Sequence, residues 1–412
     1  MSIQSDDKSI NRRQFVHTAT AGAVSFTILS SRSVRGSDAT SKVRLGMIGC
    51  GTRGTWIAEL FKRHGGYEIV AAADYFQDKV DAFGERLGVD ASRRFTGLAA
   101  YKRLLDSKVD AVAIESPPYF HPEQAAAAIN AGVHVYLAKP IAVDVPGCHL
   151  VQTSAKDATA KKLVFLVDFQ TRANAFFQEA IKRVHEGAIG QIAFSEASYH
   201  AEIPWEGQYR YLDADPNSPE NRLRAWGLDR ALSGDIITEQ NIHALDVASW
   251  VMNQPPLYAE GTGGLSARPR KGTCWDHFVV NFYYPDNLAV SFTSRQFNGY
   301  GTVPQGIRNR VLGSTGVLET EYGGRVLIRG QNFYRGGDTN TIYEEGAVNN
   351  IATFHRNVTE GHFENPTAAP SVESNLVTIL GRTAALTGKR ALWTDLLKSQ
   401  ERLLPELRGL KD

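Results

Sequence analysis

The feature that most constrains this chain is a strand, a glycine turn and a helix in direct succession. Lys42 to Gly49 reads as a buried strand, and Gly49-Cys50-Gly51-Thr52-Arg53-Gly54 follows at once. Apolar residues then recur at helical spacing through Trp56, Ile57, Leu60 and Phe61, and Gly65-Gly66 closes the helix. A lone GxGxxG is weak evidence, but between a strand and a helix it has a mechanical meaning. The first glycine allows the tight turn, the second lets backbone approach a pyrophosphate, and the helix N-terminus faces the anion. A second strand, Tyr67 to Ala73, ends in Asp74. An acid there accepts hydrogen bonds from ribose hydroxyls and repels a 2′-phosphate, so the motif predicts NAD rather than NADP. Gly49, Gly51, Thr52, Arg53, Gly54 and Asp74 are therefore the expected cofactor residues, with Thr52 and Arg53 near the pyrophosphate.

Strands and helices keep alternating after Asp74. Val109 to Glu115 reads as a strand ending in Ser116-Pro117-Pro118, Pro122 to Ala131 as a helix, Val133 to Leu137 as a strand ending in Ala138-Lys139-Pro140, and Lys162 to Phe169 as a last strand. Continuous apolar strands alternating with helices predict a parallel sheet covered on both faces. Ser116, Pro117, His121 and Lys139 follow strands at the edge where such sheets bind ligands, and join the expected cofactor set. After about Thr171 the pattern changes. Strands such as those in CWDHFVVNFYY, NLAVSFTSRQF and GVLETEY alternate as sheets with one solvated face do. Single helices are expected over Asp235 to Met252, near Val348 to Glu360, and from Val372 to the C-terminus. The chain thus reads as α/β: a Rossmann-type dinucleotide-binding domain over 40–168, then an α+β domain with a large open, mainly antiparallel sheet over 169–412.

Residues 1–39 read differently. Arg12-Arg13 precede Phe15, a short apolar run follows from about Ala19 to Leu29, and Ser37-Asp38-Ala39 offers a cleavage site. This order predicts a twin-arginine signal and a periplasmic location. The apolar run is too short for a membrane span, and no other stretch reads as one. The 45 Lys and Arg balance 44 Asp and Glu, which gives no electrostatic reason to expect a nucleic-acid partner. Cys50, Cys148 and Cys274 have neither disulfide nor zinc spacing.

Two further groups carry chemistry. Lys139, at a strand end, can polarise a substrate oxygen. Gly234-Asp235-Ile236-Ile237-Thr238-Glu239-Gln240-Asn241-Ile242-His243-Ala244-Leu245-Asp246 sets Glu239 and His243 four apart, on one face of the expected helix, with Asp246 nearby. His243 can then take a hydroxyl proton, with Glu239 orienting or tuning it. No second ligand cluster accompanies that pair, so a metal is not expected. Gln170 and Arg172 follow the last parallel strand and are substrate candidates. Tyr199, His200, Trp205, Tyr209, Tyr211 and Trp226 offer aromatic faces for a sugar, and Tyr199 and Trp205 are expected to contact the substrate.

The ordered set of GCGTRG, Asp74, Ser116-Pro117-Pro118, Lys139-Pro140 and the helix with Glu239, His243 and Asp246 resembles the glucose–fructose oxidoreductase / inositol dehydrogenase (Gfo/Idh/MocA) family. The resemblance covers nearly all of the chain beyond the signal. It implies nicotinamide bound between the two domains, a carbohydrate substrate and homo-oligomers joined through the open sheet. Lys139 corresponds to the lysine of the family's Glu-Lys-Pro and His243 to its catalytic histidine. Ala138 stands where that motif has glutamate, and Glu239 where many members carry aspartate.

The expected activity is NAD-dependent oxidation and reduction of a sugar, glycoside or polyol by Lys139, His243 and Glu239. Outside the cytoplasm no pool of free NAD is replenished, so a tightly held cofactor and a redox-neutral cycle are expected. Two alternatives stay open: glycoside cleavage through a transient keto-sugar, and a non-catalytic sugar-binding protein that keeps the fold.

Overall fold

The computed structural model describes residues 42–412, and the expected signal over 1–39 lies outside them. The first half alternates as the apolar runs require. β1 (Val43–Ile48), α1 (Thr52–His64), β2 (Tyr67–Asp74), α2 (Gln77–Leu87), β3 (Arg94–Thr96), α3 (Ala100–Leu105), β4 (Ala111–Ile114), α4 (His121–Asn130), β5 (His134–Ala138), α5 (Val145–Ala160) and β6 (Phe165–Asp168) follow one another. The six strands form one parallel sheet in the order β3-β2-β1-β4-β5-β6. The order reverses direction at β1, so the crevice beside β1 and β4 opens where such sheets bind ligands.

The second half runs through α6 (Ala175–His185), β7 (Ile192–Ala201), α7 (Tyr209–Ala214), α8 (Pro219–Arg224), α9 (Arg230–Ser233), α10 (Ile236–Glu239) and α11 (Ile242–Met252). Then come β8 (Tyr258–Gly264), β9 (His277–Tyr283), β10 (Ala289–Gln296), β11 (Gly306–Gly313), β12 (Gly316–Glu321), β13 (Arg325–Gly330), β14 (Tyr334–Asp338), α12 (Ile342–Glu360), α13 (Ala368–Thr387) and β15 (Ala391–Leu392). Nine strands make the second sheet, ordered β14-β13-β12-β11-β7-β10-β9-β8-β15, with β7 and β10 parallel and the other pairs antiparallel. Alternation sets its faces: along β10, Val290, Phe292 and Ser294 are buried while Ser291 between them is exposed.

Two helices expected from the sequence are revised. The expected single helix over Asp235 to Met252 is broken at Gln240-Asn241 into α10 and α11. The expected helix from Val372 to the C-terminus stops at Thr387, because Gly388 takes the left-handed conformation (φ 63°) and donates to Ala384 as a C-cap. Beyond Leu397 the chain is irregular and returns to the parallel sheet, where Leu98 N–H donates to the Lys411 carbonyl at 2.9 Å. Among the described residues no helix is long and apolar enough to cross a membrane.

The two sheets share their packing. One buried cluster runs from Ile114 and Phe165 of the first sheet through Leu376 and Leu380 of α13 to Phe278 and Phe292 of the second. Among the described residues no strand neighbours the outer edge of β6, and side chains complete it instead. Asn365 accepts from Phe165 N–H at 2.7 Å and donates to the Leu163 carbonyl at 3.0 Å, and Thr367 accepts from Val167 N–H at 3.0 Å. These bonds satisfy backbone groups that an open edge would leave for another chain to pair with.

Candidate active site

The glycine turn has the geometry of a dinucleotide cradle. Gly49 has φ 95°, and a Cβ there would meet the Glu115 backbone at 2.5 Å. A Cβ at Gly54 would fall 1.9 Å from the Gly49 carbonyl oxygen, so only glycine lets α1 start so close to β1. A Cβ at Gly51 meets nothing within 4 Å, so that backbone faces open cleft. The Asp74 carboxylate accepts from Cys50 N–H at 2.8 Å and Phe76 N–H at 2.9 Å. Burial raises its carboxyl, and these two bonds pull the other way. Each oxygen retains a second acceptor site for a ribose hydroxyl. These residues fit an NAD: Gly49, Gly51, Thr52, Asp74, Ser116 and Pro117 all line the cleft that would hold it.

Three expected residues take other places. His121 is buried behind the cleft, with Nδ1 2.8 Å from the Pro140 carbonyl and Nε2 2.7 Å from that of Ser116, and so ties together the loops after β4 and β5. Arg53 does not face the turn as expected. Its guanidinium donates to Asp168 at 2.8 Å, lies 3.6 Å from Glu115, and stacks over Trp56 and Tyr343. Burial alone would weaken its charge, but Glu115 and Asp168 outweigh burial and hold it cationic. Trp205, read as a sugar platform, lines the dinucleotide cleft, together with Tyr211 and Trp226. The segment that carries them is fastened over the cleft by Arg224, which donates to Asp78 of α2 at 2.8 Å and sits 3.8 Å from the Phe76 ring centre.

The reactive groups meet where the expected helix breaks. In an unbroken helix the Glu239 carbonyl would accept from His243 N–H. Here His243 N–H bonds Gln240 at 3.3 Å, and the freed Glu239 carbonyl accepts from Lys139 Nζ at 2.8 Å. The Glu239 carboxylate lies 3.4 Å from the same ammonium and accepts from the Gln240 amide at 2.7 Å. Tyr199 donates to the Gln240 side chain, and burial together with Glu239 keeps its phenol protonated. The Lys139–Pro140 bond is cis.

His243 is 8% exposed, and its Nδ1 is buried without a hydrogen-bond partner among the described residues. Desolvation first, then Lys139 and Arg53, hold its ring well below the usual imidazole range, so it rests neutral. Glu239, the carboxylate expected to orient or tune it, is turned instead to Lys139 and Gln240, and Asp246 is committed elsewhere as well. Asp246 is bonded to Arg172 at 2.9 Å and to Ser374 at 2.6 Å. Arg172 is therefore committed to that pair, while Gln170 is buried with its Oε1 unpartnered. His200 bonds Pro304 and Thr293 on the second sheet, and Tyr209 packs with Leu212 and Leu228.

Sequence reasoning missed Gln240, Asn241, Glu115 and Arg224. Asn241 lies buried with both amide atoms unpartnered, two residues from His243. Glu115 carried a readable signal, a single acid closing an apolar strand. Arg224 carried none, since its partners lie far away in sequence.

Comparison with known proteins agrees with this geometry. Residues 43–166 match the oxidoreductase family with an NAD-binding Rossmann fold, and residues 177–319 match the GFO/IDH/MocA C-terminal domain. The chain belongs to the GFO/IDH/MocA oxidoreductase family. One GFO/IDH/MocA relative is the myo-inositol 2-dehydrogenase of Thermotoga maritima, 24% identical over 364 residues, spanning 85% of this chain and 98% of that one. Another is a glycosyl hydrolase family 109 protein of Shewanella pealeana, 26% identical over 232 residues; the match spans 51% of this chain and only 50% of that protein. The fold recurs in the myo-inositol 2-dehydrogenase of Lactobacillus plantarum (TM-score 0.67, 22% identity, 85% of this chain and 99% of that one). It recurs also in the WlbA dehydrogenase of Bordetella pertussis in complex with NADH and UDP-GlcNAcA (TM-score 0.66, 21% identity, 85% and 99%).

Proposed function

We propose that the protein oxidises and reduces a sugar, glycoside or polyol with an NAD that stays bound through a redox-neutral cycle. The observation that carries this reading is the meeting of Lys139 and His243 at the helix break, beside a cleft with the glycine turn and Asp74. When bound, NAD supplies the acceptor for the electron pair of the substrate's C–H bond. Lys139 polarises the reacting oxygen, and neutral His243 takes or returns its proton. Glu239 holds Lys139 by carboxylate and carbonyl together, which is the orienting role we assign it. We assign Asp74 to the adenosine ribose, where its charge disfavours NADP.

The Arg224 fastening supports retention of the cofactor, because it pins residues 204–226 across the cleft. With retention, we propose export by the twin-arginine route and action in the periplasm. We assign association between copies to the open face of the nine-stranded sheet, where Phe194 and Val279 are exposed.

A second reading, cleavage of a glycoside through a transient keto-sugar, is favoured by kinship with the family 109 protein of Shewanella pealeana, by that protein's name. It needs a further proton carrier, and the Tyr199 hydroxyl, one hydrogen bond from Gln240, is the group we assign. A purely sugar-binding role would leave the Lys139–Glu239 arrangement without a task.

The test is to purify the full chain without added cofactor, denature it, and separate released nucleotide by chromatography. NAD or NADH near one per chain is expected, and its absence would sink the closed cycle. Incubation of the folded protein with aryl glycosides then separates the two readings, since only cleavage frees the phenol.

A further inference from the structure

Glu115 is a buried acid that the reaction as described does not use. Its side chain is 1% exposed, and among the described residues neither carboxylate oxygen has a hydrogen-bond partner. Buried carboxylates are ordinarily hydrogen-bonded as well as charge-paired, so one whose cation stands off at 3.6 Å needs a cause. The residue lines the dinucleotide cleft and packs under the glycine turn, with its Cβ 3.4 Å from where a Cβ on Gly54 would lie.

Its neighbourhood is set by strand register. Ile114 pairs with Leu137, Leu137 with Val167, and Ala138 with Asp168, so positions 115, 138 and 168 stand level at three adjacent strand ends. Two carboxylates therefore flank the methyl group of Ala138. From α1, Arg53 reaches across to both, bonding Asp168 and leaving Glu115 at 3.6 Å. Lys139 after β5 also faces Glu115, and Tyr136 of β5 adds a phenol beside the pair. Arg53 is thus shared between two acids, and Glu115 has the weaker share. Burial first, with Asp168 adding to it, pushes the Glu115 carboxyl up to about 7 against the pull of Arg53 and Lys139.

We propose that Glu115 is a proton store coupled to the redox state of the nicotinamide, ionised beside the cationic oxidised ring and protonated when the ring is neutral. The inference rests on the NAD reading above. In the oxidation half, the substrate C–H bond breaks with its electron pair going to NAD⁺, and its O–H bond releases a proton. His243 takes that proton first and passes it on, the Glu115 carboxylate becomes a carboxyl, and the proton stays within the site. In the reduction half the electron pair returns to a carbonyl carbon, the oxygen takes a proton, and Glu115 is again a carboxylate. A redox-neutral cycle can then run without exchanging protons with solvent in each half. The coupling is electrostatic, so Glu115 acts as a positioning residue and need not touch the substrate.

The test reads binding rather than turnover. The full chain is equilibrated with a fixed mixture of NAD⁺ and NADH at several pH values, and the bound nucleotides are separated and quantified. One linked proton predicts that the bound NADH-to-NAD⁺ ratio falls about fivefold or more from about pH 6 to about pH 8. Glu115→Gln should flatten that dependence, and His243→Asn should keep it. A wild-type ratio that does not change with pH overturns the proposal on its own, whether or not Glu115→Gln folds. Loss of the dependence in His243→Asn, or its survival in folded Glu115→Gln, also overturns it. Nucleotide that binds with a flat ratio removes only this inference. Nucleotide that fails to bind at any pH removes the NAD reading and this one with it.

Discussion

Lys139 donates to the main-chain carbonyl of Glu239 at 2.8 Å, and this bond joins the end of a parallel strand to the helix break that presents His243. The bond holds the two reactive groups in one place through backbone as well as side chain. Lys139→Ala and His243→Ala should each lose about tenfold or more in turnover, the range for removing a positioned acid or base. Both should still carry nucleotide after purification. Steady-state kinetics with a matched nucleotide assay checks this, and undiminished turnover in either variant would end the assignment.

Arg224 should govern how long the nucleotide stays. An exposed ion pair contributes little to global stability, so Arg224→Ala should leave the melting temperature nearly unchanged. Its loss unpins residues 204–226 from Asp78 and Phe76. Exchange of bound nucleotide for a labelled one should quicken about tenfold, as about 1.4 kcal/mol of lost fastening would give. Equal exchange rates in both proteins would mean that this segment does not retain the cofactor.

The neutral state of His243 has a pH signature. Its folded pKa lies below that of the unfolded chain, so the unfolded state binds the extra proton. The stability linked to this is fully present above about pH 6.5, the unfolded value, and is lost as pH falls toward the folded one. Denaturant titrations should show a smaller loss of stability on acidification in His243→Asn than in the parent. An identical acid slope in the two would contradict a neutral, desolvated ring.

Ala138→Glu would add a third acid between Glu115 and Asp168, with Arg53 already shared. Like charges that close cannot all ionise, so the expected result is a protein less stable by about 1–3 kcal/mol and no faster in turnover. A variant that gains both stability and rate would show that position 138 simply lacks an organising carboxylate.

Asn365→Ala should cost about 2–4 kcal/mol, because it leaves Phe165 N–H and the Leu163 carbonyl buried without partners. It would also force alanine into a left-handed conformation, φ 52°, that asparagine tolerates. Urea denaturation measures the difference, and a change under about 0.5 kcal/mol would mean that water replaces the side chain.

What the sequence disclosed depended on how local the cause was. The glycine turn and Asp74 were legible because a strand, a turn and a helix each leave a short-range pattern. The stop at Gly388 was legible in kind, being a glycine after a helical run, but the reading carried the helix past it. The break at Gln240-Asn241 was not legible, since Ile236, Ile237, Ile242 and Leu245 keep helical spacing straight through it. Only Lys139, a hundred residues earlier in the chain, makes a use of the break visible. The pairings of Glu239 with Lys139 and of Asp246 with Arg172 are equally remote, and they leave His243 without the carboxylate that spacing suggested. Trp205, Tyr211 and Trp226 were recognisable as ligand-facing aromatics, but nothing local says which of two ligands they face.

The side-chain seal on the edge of β6 bears on ancestry and on engineering. Asn365 and Thr367 lie some two hundred residues after the strand they complete. A recombination that exchanged the nucleotide-binding half between two such proteins would separate the strand from its cover, and the hybrid would present a bare, sticky margin. Viable chimeras must therefore carry the stretch around 365–375 together with the N-terminal half, although it is encoded far downstream. Gene-level modules and physical modules do not coincide in this protein, and crossover libraries should be drawn along the second kind.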